Sequence, residues 1–144
     1  MNIILFGPPG AGKGTQADNI IKNFSLYKIS TGDLLRKEIE KKTDLGMKIK
    51  SEIDQGLLVS DDIISDLITK ILSNKKSFED LIFDGYPRNL NQAKSLDILI
   101  KKHNKKISCV ISLDVDEETL KKRILGRIIC TNCGLIFNIS KLFA

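Results

Sequence analysis

Short apolar runs rich in β-branched residues alternate along this chain with longer stretches whose apolar positions recur at helical spacing. The runs lie at Asn2–Phe6, Tyr27–Ser30, Leu81–Asp84 and 109–115. Between them, Lys13–Phe24 carries Ala17, Ile20, Ile21 and Phe24 on one stripe. The stretch 61–72 places Ile64, Leu67, Ile68 and Ile71 on one face, with Ser60 or Asp61 available as a cap. Residues 91–100 and Glu117–Leu125 read the same way. This alternation of periods predicts βαβ units, hence an α/β fold built on a mostly parallel sheet covered on both faces.

Two regions break the rhythm. Between Thr31 and Ser60 the pattern predicts two consecutive helices, over 33–42 and 45–55, with Gly46 and Gly56 near turns and no strand. Such a pair inserted into an α/β alternation reads as a small flap on one side of the sheet. From Gly126 the character changes again. Cys130-Thr-Asn-Cys133-Gly134 reads as a tight knuckle, and Leu135-Ile136-Phe137 as a short strand after it.

The strongest chemical signal is Gly7-Pro-Pro-Gly-Ala-Gly-Lys-Gly-Thr15, between the first strand and the first helix. Glycines there let the backbone curl so that successive N–H groups face phosphate oxygens. The helix that follows adds its positive end, and Lys13 adds a full charge for the β- and γ-phosphates. Gly10, Ala11, Gly12, Lys13, Gly14 and Thr15 therefore form a candidate nucleotide-phosphate site. At Gly14 the motif departs from its usual hydroxyl, which comes one place later at Thr15. A Mg²⁺ ion would then rest on phosphate oxygens and waters, and carboxylates would have to hold those waters. Asp84, at the end of a strand, is the first candidate for that second shell. Asp33 is the other, with a plain acid at a helix N-terminus as its competing reading.

Composition narrows the class. The 144 residues are 42% hydrophobic and 28% charged, as in ordinary soluble domains, and 10 Gly with 3 Pro exclude a collagen-like or low-complexity chain. A net charge of +5 suits an anionic ligand without singling out nucleic acid or a membrane. The basic run around His103 follows a helix, where such residues complement the dipole and are solvated. No apolar run reaches the ~18 residues of a membrane span. The run Ile3–Phe6 is too short for a secretory signal. Three cysteines cannot all pair within the chain, and the Cys130/Cys133 spacing is metal-like or redox-like. A reducing cytoplasm is the expected setting.

Five ordered motifs resemble the adenylate kinases, a family of nucleoside monophosphate kinases. They are Gly7–Thr15, Ile29-Ser-Thr-Gly-Asp-Leu-Leu-Arg36, Gly56-Leu-Leu-Val-Ser60, Phe83-Asp-Gly-Tyr-Pro-Arg88 with Asn91-Gln92-Ala93, and Arg123-Ile-Leu-Gly-Arg127. The resemblance implies a P-loop NTPase-type parallel sheet, with a core at 1–30 and 61–126 and a helical monophosphate-binding insertion at 31–60. It also implies the start of a lid at 127–144. The activity it implies is reversible, Mg²⁺-dependent transfer of the terminal phosphoryl of ATP to AMP, giving two ADP.

By the same resemblance, Lys13, Arg88, Arg123 and Arg127 are catalytic, and Arg123 and Arg127 join the phosphate loop in holding ATP. Thr31, Gly32, Arg36, Leu58, Val59, Gly85, Arg88 and Gln92 would hold AMP. Thr31 and Gln92 fit the AMP-selective pattern, and a Gln amide offers an adenine edge one donor and one acceptor. A UMP/CMP-type kinase is the alternative acceptor class. Partners are then ATP with AMP or ADP, acting on a monomer, with no nucleic acid or membrane.

Metal-bearing members carry zinc on two Cys pairs or a variant of them, so Cys130 and Cys133 amount to half a site. Zn²⁺ is expected only in a full-length form. The family continues beyond the point reached here, which implies a C-terminally truncated member without its last strand. The stretch 109–115 would then lie at a sheet edge. A nucleotide-binding but catalytically inert module is the corresponding alternative.

Overall fold

The computed structural model describes residues 1–57, 59–73, 80–130 and 136–139. Strand β1 (Asn2–Phe6) leads through the glycine-rich loop into α1 (Lys13–Phe24), then β2 (Tyr27–Ser30). Helices α2 (Thr31–Glu40), α3 (Asp44–Asp54) and α4 (Asp61–Ser73) follow in succession. The chain then alternates through β3 (Leu81–Asp84), α5 (Leu90–Lys102), β4 (Cys109–Ser112) and α6 (Glu117–Leu125). Beyond α6 come β5 (Arg127–Ile129) and β6 (Ile136–Asn138).

The first four strands form one parallel sheet in the order β2-β3-β1-β4. Alternation along the strands divides the core between its two faces. Ile4, Ile29, Leu81 and Phe83 pack with α4, α5 and the flap residues Ile49 and Val59. Ile3, Leu5 and Ile82 pack on the other face with Ala17 of α1 and with Leu26. β3 and β1 are therefore buried on both sides, which is why their sequences are unbroken apolar runs. The predicted α/β class and parallel sheet are borne out, and among the described residues β4 lies at one edge of that sheet.

Local signals set the helix starts, and some differ from the sequence expectation. α2 begins at Thr31 because the Ser30 hydroxyl accepts the Asp33 N–H at 3.4 Å. α3 begins at Asp44, capped by Thr43, whose hydroxyl accepts the Gly46 N–H at 3.1 Å. Gly46 thus lies inside the first turn of α3 and not at a bend. The flap helices approach so closely there that a Cβ would collide with the Glu38 carbonyl oxygen. Gly56 does sit at a turn, with φ +73°. α5 starts one residue early, at Leu90, under an Asn89 cap.

The largest correction concerns β4. It ends at Ser112 and does not run to Val115, because its partner β1 ends at Phe6, opposite Ser112. One further bond, Leu113 N–H to the Phe6 carbonyl at 2.8 Å, closes the ladder before Gly7 turns into the phosphate loop. Cys109 is exposed, and Val110 is 60% exposed, on a strand that lies at the edge of the described sheet. β5 and β6 form a separate antiparallel ribbon, pairing Arg127 with Asn138 and Ile128 with Phe137. The strand expected over 135–137 corresponds to β6 at Ile136–Asn138, while the knuckle expected after Cys130 lies outside the described residues.

Candidate active site

The C-terminal ends of β1 and β3 lie side by side, with Leu5 paired to Asp84. The phosphate loop and the segment Asp84–Arg88 therefore emerge next to each other, as expected at the carboxyl edge of a parallel sheet. Gly10 and Gly12 take φ of +82° and +96°, a left-handed conformation that side chains rarely adopt. Gly12 is also the N-cap of α1, whose first turn holds no acidic residue. Lys13 curls back over the loop and its ammonium donates to the Gly7 and Pro8 carbonyls at 2.9 and 3.0 Å. Burial lowers the pKa of this amine; Asp84 opposes that shift, while the positive charges of Arg88 and Arg127 add to it.

Asp84 faces the loop at the place where the usual hydroxyl is missing. A Cβ added to Gly14 would stand 3.5 Å from its Oδ2. Burial raises the pKa of Asp84 above the ordinary carboxylate value, against the pull of Lys28 and Lys13. The folded state consequently holds this proton to higher pH than the unfolded chain does. Stability falls as pH rises from the ordinary carboxylate range through the raised folded value, and the cost is complete above it. Asp84→Asn should therefore melt higher than the parent at neutral pH. The gain should shrink as pH falls and vanish below the ordinary carboxylate range, in thermal melts recorded across the acid limb.

Arg123 of α6 reaches the outside of the loop, its Nη1 donating to the carbonyls of Gly10 and Ala11 at 3.4 and 3.3 Å. Asn138 donates in turn to the Arg123 carbonyl at 3.1 Å, tying the ribbon to the end of α6. Arg127 opens β5 and is near enough for its charge to act on Lys13.

A second cluster forms where α2 meets the loop after β3. The Thr31 hydroxyl donates to the Gly85 carbonyl and accepts from Arg88 Nη2, both at 3.1 Å. Arg88 Nε also donates to the Gly85 carbonyl, at 2.8 Å. Gly85 has φ +78°, and the Tyr86–Pro87 peptide is cis. A Cβ at Gly32 would lie 3.3 Å from the Arg36 guanidinium, so Gly32 and Arg36 are neighbours across one helical turn. Asp33 pairs with that guanidinium at 2.5 Å, and its charge also acts on Asp84. Val59 is buried in the core under this cluster, and Leu58 lies outside the described residues.

Gln92 is placed differently from a side chain standing open to a ligand. It is 2% exposed, its Oε1 accepts the Arg88 N–H at 2.7 Å, and its Nε2 donates to Asp61 at 2.5 Å. Sequence reasoning misses Asp61 and Asn89 here, since it reads Asp61 only as a helix cap. Asn89 donates to the other Asp61 oxygen at 2.7 Å. Leu34, Leu35, Ile64 and Leu67 pack beside Thr31 and leave no room for a water between them.

A family model for adenylate kinase matches residues 5–138 of this chain. The chain belongs to the adenylate kinase family. It is 49% identical over 138 residues to the adenylate kinase of Pelagibacter ubique, covering 96% of this chain and 65% of that protein. It is 45% identical over 143 residues to the adenylate kinase of Enterococcus faecalis, covering 99% of this chain and 65% of that one. For the adenylate kinase of Petrotoga mobilis the identity is 47% over 139 residues, with 96% and 63% covered. The chain thus spans just under two thirds of the length of these relatives. In this adenylate kinase family member, Cys130 directly follows β5, and Cys133 lies outside the described residues. Among the described residues no three potential ligands cluster for a metal ion, and no helix is long and apolar enough to cross a membrane.

Proposed function

We propose that this protein transfers the terminal phosphoryl group of ATP to AMP and gives two ADP, as a cytoplasmic monomer acting on free nucleotides. The observation that carries this reading is the position of Arg88. Its guanidinium is bonded to Thr31 and Gly85 on the monophosphate side, while its charge acts on Lys13 in the phosphate loop. One cation would thus serve both nucleotide-phosphate sites.

The loop N–H groups and Lys13 would hold the ATP phosphates. Arg123 and Arg127 would add charge on the same side. Thr31, Gly32, Arg36, Leu58, Val59, Gly85, Arg88 and Gln92 would hold AMP. The Gln92 amide can make four hydrogen bonds, so its internal bonds orient it and leave capacity for a base.

An AMP phosphate oxygen is the nucleophile; it forms a bond to the γ-phosphorus of ATP as the bond to the β-phosphate oxygen breaks. That oxygen is already anionic, so no general base is needed, and in-line placement with charge neutralisation suffices. This accounts for a site of Lys and Arg without a catalytic His or Ser. The half-buried Asp84 carboxylate, which faces the loop at Gly14, could hold the waters of a Mg²⁺ ion. When bound, it would neutralise phosphate charge.

Coupled assay of ADP formation from Mg-ATP and AMP tests the reading, with UMP and CMP as competing acceptors. Turnover should require AMP and should be fastest with it. Background turnover with retained ATP binding would replace it by a nucleotide-binding module. Faster turnover with UMP or CMP would make the acceptor a pyrimidine nucleotide.

A further inference from the structure

Asp61 opens α4, yet both of its carboxylate oxygens are turned across to α5. Oδ1 accepts from Gln92 Nε2 at 2.5 Å, and Oδ2 accepts from Asn89 Nδ2 at 2.7 Å. Ser65 lies one turn further along α4, near enough to the buried Tyr86 to act on its hydroxyl. The start of α4 therefore holds the segment Asn89–Gln92 at two places.

The two amides held by Asp61 are themselves structural. Asn89 Oδ1 caps α5 by accepting the Gln92 N–H at 2.9 Å. Gln92 Oε1 accepts the Arg88 N–H at 2.7 Å. An amide whose N–H₂ end is held by a carboxylate can present only its oxygen to Arg88. Asp61 thus sets which way the buried Gln92 amide points. Through it, Asp61 sets the backbone of Arg88, whose side chain bridges to Thr31. Asp61 also follows Val59 and Ser60 directly in sequence, where the flap returns to the core.

We infer that Asp61 is a positioning residue for the monophosphate subsite, joining the exit of the flap to the Arg88–Gln92 segment through its paired bonds to Asn89 and Gln92. This inference rests on the proposed AMP-binding reading of that subsite. It assigns Asp61 no contact with substrate. A charge-assisted bond lost from each of two amides would let Gln92 turn over and Arg88 move. AMP would lose its preformed contacts, while the phosphate loop, built on β1, α1 and α6, would keep its shape.

The test measures AMP and ATP affinity separately by calorimetry on the full chain, for the parent, Asp61→Ala and Asp61→Asn. Asp61→Ala should weaken AMP binding by about tenfold or more, the scale of one charge-assisted hydrogen bond lost, and leave ATP affinity unchanged. Asp61→Asn, which can accept from only one of the two amides while keeping its size, should fall between. Hydrogen exchange at the Arg88 amide, read without nucleotide, should accelerate in Asp61→Asn. Equal AMP affinity in parent and variants would overturn the inference. So would equal loss of AMP and ATP affinity with a lowered melting temperature, the mark of a merely structural residue. Unchanged protection of the Arg88 amide would overturn it even where Asp61→Ala does not fold. A parent chain that binds ATP but no AMP would remove the functional reading and this inference together, a result distinct from all of these.

Discussion

Replacing Lys13 by Met should lower the rate of ADP formation from ATP and AMP by about a thousandfold, the scale of losing one preorganised charge at a transferring phosphoryl group. Met keeps the apolar stem and removes the ammonium that donates to the Gly7 and Pro8 carbonyls. The loop backbone itself is shaped by glycine conformations and by Arg123 on its outer side, so its fold should persist. Melting temperature should accordingly change little, since the deleted amine is one that burial already disfavours in its charged form. The measurement is steady-state kinetics with Mg-ATP and AMP beside a thermal melt. Full activity in a folded Lys13→Met chain would exclude Lys13 from the reaction.

Phe83→Ala should cost about 3–5 kcal/mol of folding stability, the range for removing a fully buried aromatic side chain. Phe83 is 0% exposed and lies on an inner strand, paired with Ile4 of β1 and Ile29 of β2. It belongs to the larger of the two core clusters, with Leu96 and Ile100 of α5 and Ile64 and Ile68 of α4. No neighbour can fill the space without leaving its own strand or helix, so the cavity term adds to the transfer term. Urea denaturation should show an earlier midpoint, and Phe83→Leu should lie between the Ala variant and the parent. An unchanged midpoint in Phe83→Ala would mean that the sheet is not organised about β3.

The two effects are linked by one residue step. Phe83 points into the core and Asp84, the next residue, points to the phosphate loop, because successive strand side chains face opposite ways. Stability and chemistry therefore share β3. The half-buried position that makes Asp84 costly in its charged form places it beside Gly14.

Much of this organisation is legible in the order of residues. The alternation of strand-like and helix-like periods identifies every element of the parallel sheet, since both periods follow from local geometry. The glycine-rich loop needs only its own residues. Helix starts fall close to expectation because Ser30, Thr43, Asn89 and Asp116 cap through bonds spanning three residues. The departures have a non-local cause. Apolar character continues past Ser112, where β1 stops offering partners, so periodicity extends β4 too far.

Local patterns are enough to specify an α/β chain with a glycine-rich loop between strand and helix, two consecutive helices after β2 and a set of arginines suited to phosphates. Which of those groups meet is settled by packing. Thr31 bonds Gly85 and Arg88 across more than fifty residues, and Asp61 bonds Gln92 across thirty-one. Neither partnership leaves a trace in hydrophobic period or turn chemistry. Both exist because the sheet order β2-β3-β1-β4 sets the end of β2 beside the end of β3, and because α4 packs beside α5. Strand order comes from how whole apolar faces are covered, and a buried amide's orientation comes from the one carboxylate that reaches it.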